Sequence, residues 1–168
     1  MELVENVVAY LKEQELALVT AESCTAGLIA SEVANVPGSG QVLEGGLVVY
    51  SPEAKKRYLA VASETIEAHG LTSQALSREM ALRALDSNDA DIAVAVTGLA
   101  GPDPCGEVPS GTLCFAWAFR HQSKDYLFSE TRRLAGSRNE IRLEAAHYSL
   151  AQIPTHHKAV LAGRAPPR

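Results

Sequence analysis

Ser23 lies in the segment Val19-Thr-Ala-Glu-Ser-Cys-Thr-Ala-Gly27, with a short apolar run before it and a helical pattern after it. Two roles suit a serine there. Its hydroxyl can cap the helix by accepting from a backbone N–H of the first turn. It can also act as a nucleophile, exposed between strand and helix, with the backbone N–H groups of Cys24 and Thr25 stabilising an oxyanion. The small residues Ala21, Ala26 and Gly27 would let a substrate approach the backbone. A serine nucleophile needs a base. The histidines are His69, His121, His147, His156 and His157, none of them near this segment in sequence, so no Ser-His-Asp triad is evident. Lys55, in Tyr50-Ser-Pro-Glu-Ala-Lys55, is the better base. It stands one turn into a helix that follows a strand, where the helix dipole and partial burial both lower a lysine pKa. Tyr50, at the strand end, could relay the proton. The plainer alternatives are a solvated lysine and an aromatic at the edge of the core. Cys24 is a rival nucleophile, but no histidine adjoins it and a buried thiol is the commoner state.

Two further groups could meet a ligand. Thr97 closes an apolar strand and opens the loop Gly98-Leu-Ala-Gly101-Pro-Asp-Pro-Cys-Gly106. That loop lacks Gly-Lys-Ser/Thr, so it is not a Walker P-loop. It is either a plain connection or a wrap around a small ligand, with Gly98 and Gly101 at its near end. Arg138 and Arg142 stand four apart at the start of the last predicted helix. They form either a solvated basic face or a phosphate cradle. The pair His156-His157 reads as solvated rather than as a metal site.

These residues need a scaffold. Leu3, Val4, Val7, Val8 and Leu11 predict a helix over about residues 2–14. A strand follows at 16–20, then a helix from about Cys24 to Asn35 and a strand at 42–50. Ser51-Pro52 starts another helix, Ser as N-cap and Pro at the first helical position. Helices are expected near 64–69, ended by Gly70, and over 73–87. The β-branched run 91–97 reads as a central strand covered on both faces. Strands at 112–119 and 124–132 come next, and Ser137-Arg-Asn-Glu140 is a capping box opening a helix to about Leu150. The alternation predicts an α/β fold: a three-layer α/β/α sandwich with a mixed, mostly parallel sheet. One domain over 1–153 is expected, with 154–168 a loose tail. The three chemical segments then share the carboxyl ends of strands, where ligands bind in such folds.

Composition narrows the partners. The 168 residues are 46% apolar, 21% charged and only 5% aromatic, so the core should rest on Ala, Val, Leu and Ile. A net charge of −5 argues against broad nucleic-acid binding but not against one small anionic ligand. Three cysteines are no disulfide framework, and the N-terminus carries no signal-peptide pattern. No apolar stretch approaches the roughly 20 residues of a membrane span. A cytoplasmic protein is expected, without metal or organic cofactor.

Five motifs in order, Thr20-Ala-Glu-Ser-Cys-Thr-Ala-Gly27, Tyr50-Ser-Pro-Glu-Ala-Lys55, Val96-Thr-Gly-Leu-Ala-Gly-Pro102, Gly111-Thr112 and Gly136-Ser-Arg138, resemble those of the CinA C-terminal domain family. The likeness covers about residues 3–152. It implies the activity best known for the family's stand-alone members: amide hydrolysis of nicotinamide mononucleotide to nicotinate mononucleotide and ammonia. It implies a catalytic set of Ser23, Lys55 and Tyr50, substrate contacts from Thr97 and from Arg142 of the last helix, and a homodimer or higher homo-oligomer. Three departures bear on the substrate. Ala26 and Pro52 replace the usual Gly and Asn, and the loop 103–110 is not the usual glycine-rich one. An amidase for another small amide and a non-catalytic nucleotide-binding module are the alternatives.

Overall fold

The computed structural model describes residues 2–166. The chain runs α1 (Glu2–Glu13), β1 (Leu18–Glu22), α2 (Leu28–Ala34), β2 (Leu43–Val48), α3 (Pro52–Leu59), α4 (Ser63–His69), α5 (Gln74–Asp86), β3 (Ile92–Gly98), β4 (Thr112–His121), β5 (Lys124–Arg133), α6 (Arg138–Ala151) and α7 (Ile153–Leu161). One five-stranded sheet has the order β2-β1-β3-β4-β5. β1 pairs in parallel with β2 and β3, while β3–β4 and β4–β5 are antiparallel. Helices cover both faces, which makes the three-layer sandwich.

Alternation along the central strand divides the core. Ile92, Val94 and Val96 point to one face, where they pack with Phe115, Trp117 and Phe119 of β4 and with α1, α2, α6 and α7. Ala93, Ala95, Ala116 and Ala118 point to the other, where their small side chains admit Leu76, Met80, Ala84 and Leu85 of α5. The core is therefore mostly aliphatic, with the chain's one Trp and two of its three Phe gathered on one face of β4.

Local side-chain caps set the starts of α3 and α6. Ser51 Oγ accepts from Ala54 N at 3.0 Å, and Pro52 occupies the first turn of α3. Ser137 and Glu140 form a reciprocal capping box at α6. Gly98 carries φ +146°, and a Cβ there would stand 2.4 Å from the Thr112 carbonyl, so only glycine lets β3 leave the sheet so close to β4.

Two expectations are corrected. The helix after Ser23 begins not near Cys24 but at Leu28, behind a turn over 23–27. The segment 153–161 is not a loose tail. It is α7, with Ile153, His157 and Val160 buried against the sheet. Its two histidines are correspondingly unlike a solvated pair: His157 meets Tyr10 Oη at 2.8 Å, and the His156 ring stacks on Phe128 at 4.2 Å. Residues 167–168 of the expected tail lie outside the described residues.

Candidate active site

From β1 the chain passes to β2 on one side and, later, to β3 on the other, so the carboxyl end of β1 is the point where the strand order reverses. Ligand crevices of open α/β sheets form at such points. Ser23 sits there. Its N–H donates to Val96 O at 3.0 Å, and the Glu22 carbonyl accepts from Val49 N at 2.9 Å, so the start of the turn is pinned to both neighbouring strands.

Glu22 does the capping that Ser23 was a candidate for. Its carboxylate is fully buried and accepts from Ile29 N (3.1 Å), Ala30 N (3.0 Å) and Thr20 Oγ1 (2.9 Å). Those two amides are the second and third of α2, the donors a helix start leaves without internal partners. A cap supplied from the strand frees the Ser23 hydroxyl. It also takes up two of the amides at the start of α2. The remaining amides are those of the turn: the N–H groups of Cys24 and Thr25 donate to no described backbone carbonyl. The turn closes with Ala26 at φ 52° and Gly27 at φ 88°. Ala26 thus accepts a left-handed conformation that costs an alanine roughly 1–2 kcal/mol. Ala26 is itself exposed.

Lys55 is the deeply buried partner. Only 1% of its surface is exposed, and its Nζ lies 2.8 Å from Ser23 Oγ, 2.8 Å from Val49 O and 3.0 Å from Tyr50 O. Burial pulls its pKa down to about 8. The geometry suits a base. Two carbonyls can take the two N–H groups of the neutral amine, which leaves its lone pair directed at the serine hydroxyl. The Cys24 thiol is pushed up to about 12 by burial, so it is protonated at neutral pH and is no competing nucleophile.

The other candidates fall into two groups. Tyr50 holds Lys55 through its carbonyl, but its side chain is 53% exposed and its phenol accepts from Arg138 Nη2 at 2.6 Å. The phenol therefore stands beside the dyad rather than between its members. A Cβ at Gly101 would lie 3.4 Å from Arg138 Nη1, so the near end of the loop over 99–111 borders the same guanidinium. Arg142 is differently engaged: its Nε donates to Cys24 O (3.0 Å), its Nη2 to Thr25 O (3.0 Å) and its Nη1 to Asn139 Oδ1 (3.4 Å). It clamps the carbonyls of the serine turn. The Thr97 hydroxyl donates to Leu71 O at 2.8 Å, tying β3 to the segment before α5. Sequence reasoning did not single out Glu22. The signal was there, an acidic residue closing an otherwise buried strand.

The scaffold and the serine turn have relatives. The model of the CinA C-terminal domain matches residues 1–156. The chain belongs to this family. Among curated relatives, the nicotinamide-nucleotide amidohydrolase PncC of Escherichia coli K12 is 39% identical over 156 residues, covering 91% of this chain and 92% of that protein. A CinA-like protein of Chlorobium limicola is 38% identical over 161 residues, 95% of this chain but only 38% of the relative. The CinA domain described here thus spans little more than a third of that longer protein. Among solved structures, the competence damage-inducible protein A of Klebsiella pneumoniae superposes with a TM-score of 0.87 at 35% identity, covering 94% of this chain and 96% of that one. Among the described residues no helix is long and apolar enough to cross a membrane, and no three His, Cys, Asp or Glu side chains gather as a metal ligand set.

Proposed function

We propose that this protein hydrolyses the carboxamide of nicotinamide mononucleotide, giving nicotinate mononucleotide and ammonia, with Ser23 as nucleophile and Lys55 as general base. One observation carries the mechanism: a buried lysine amine 2.8 Å from a serine hydroxyl at the strand-order switch point. The substrate follows from likeness to PncC over nearly the full length of both chains.

Neutral Lys55 takes the Ser23 proton as Oγ attacks the carboxamide carbon. The carbonyl oxygen becomes an oxyanion, held by the Cys24 and Thr25 amides. Lys55 then gives its proton to the departing nitrogen, ammonia leaves, and an acyl ester remains on Ser23. Water attacks that ester while Lys55 accepts a proton from it. The carboxylate product leaves as Ser23 recovers its hydrogen. Arg138, exposed beside the site, binds the phosphate, and Arg142 shapes the turn from behind. Thr97 and Gly98 set the facing wall rather than touching the reacting atoms.

The test is ammonia release by the purified protein from nicotinamide mononucleotide beside a panel of other small amides. Stoichiometric ammonia and nicotinate mononucleotide are expected. Binding of the nucleotide without ammonia would make the chain a non-catalytic module, and preference for another amide would move the substrate.

A further inference from the structure

The contact between Tyr50 and Arg138 connects the two ends of the proposed substrate. Arg138 Nη2 donates to Tyr50 Oη at 2.6 Å, and both side chains are exposed. The tyrosine backbone is fixed, because its carbonyl accepts from Lys55 Nζ at 3.0 Å. Only the ring can move, about its own side-chain bonds, and its attachment point is one hydrogen bond from the general base. The guanidinium is the opposite case. Among the described residues it forms no ion pair, whereas Arg142 has three donors engaged by the protein. Gly101 leaves the space beside Arg138 Nη1 clear.

A phenol oxygen is a neutral, single acceptor. A phosphate is charged and takes two guanidinium N–H groups at once, which makes the stronger, charge-assisted contact. An arriving phosphate would displace the phenol. We propose that Arg138 is a phosphate-operated latch for Tyr50: the substrate's phosphate takes the guanidinium, and the released phenol turns over Ser23 and Lys55 to hydrogen-bond the reacting carboxamide. Tyr50 then meets the substrate only when a phosphate is bound, and Arg138 is a specificity-determining residue. The latch rests on the amide-hydrolysis reading. It adds that the phosphate contributes to kcat and not to binding alone, since part of its binding energy is used to assemble the site.

Ammonia release is measured from nicotinamide mononucleotide and from nicotinamide riboside, with and without inorganic phosphate. The wild type should show the higher kcat on the mononucleotide, and inorganic phosphate should raise riboside kcat at least ~5-fold, the lower end of ordinary site-to-site coupling. Arg138→Gln should abolish that activation, raise riboside kcat towards that of the mononucleotide because the latch is gone, and raise KM for the mononucleotide because its phosphate has lost a partner. Tyr50→Phe should also abolish the activation. Equal kcat on the two substrates with a difference only in KM, or riboside turnover indifferent to phosphate, would overturn the latch alone. No ammonia from either substrate in the wild type would overturn the hydrolase reading and the latch with it.

Discussion

At the scale of single residues the site depends on a lysine that the fold strips of water. Among the described residues Lys55 has no carboxylate in hydrogen-bond contact, only Ser23 Oγ and two carbonyls, so burial dominates and brings its pKa to about 8. A general base works in its neutral form, which is the minority below that pH and the majority above it. We therefore expect kcat/KM for the mononucleotide to climb with pH through about 8 and then level. A profile flat from pH 6 to pH 10 would remove Lys55 as the base. Arg142 yields a second expectation at this scale. Its donors hold the Cys24 and Thr25 carbonyls, and so orient the amides on the other side of those peptide planes. Arg142→Ala should lower kcat by roughly 10- to 100-fold, about 1.4–3 kcal/mol, with KM little changed, in steady-state kinetics. A raised KM at unchanged kcat would return Arg142 to the phosphate site. The approach of Lys55 to Ser23 was legible in the sequence by type and order. The split between Arg138 and Arg142 was not, because two arginines one helical turn apart look alike until their partners are known.

At the scale of elements, the caps and their failures show what local pattern can reach. Ser51-Pro52 and Ser137-Arg-Asn-Glu140 were readable because both partners of each cap lie within one turn of chain. The start of α2 was not, because its cap comes from Glu22, six residues before the first helical residue and inside the preceding strand. That carboxylate is the joint between β1 and α2, and the serine turn is the segment between them. Glu22→Gln keeps the shape but loses the charge and one of the two acceptor oxygens, leaving a buried donor of α2 without its partner. Thermal unfolding should show a loss of roughly 2–3 kcal/mol, and ammonia release should fall as the turn loosens. An unchanged melting temperature would contradict this account of the joint.

The whole molecule sets the limits within which the site works. The mixed sheet was predictable from the order of periodic segments, and the switch point at β1 follows from its pairing with both β2 and β3. The C-terminal helix was missed because its buried face, Ile153, His157 and Val160, is interrupted by a histidine and a proline follows its first residue. His156 and His157 are both held neutral by burial, which lowers their pKa values below 6.5. As pH falls, the unfolded chain takes up these protons before the folded one does, so stability should drop as pH passes through and below 6.5. Melting temperature against pH should show that acid loss, and His156→Phe, which keeps a ring against Phe128 and Trp117, should reduce it. An identical acid slope in wild type and variant would place the loss elsewhere. The central claim, a serine nucleophile operated by a buried lysine, is tested most directly by ammonia release from nicotinamide mononucleotide by Ser23→Ala beside the wild type. The predicted result is a fall in kcat of at least ~10³-fold with the fold intact by circular dichroism. Turnover within a few-fold of the wild type would contradict it.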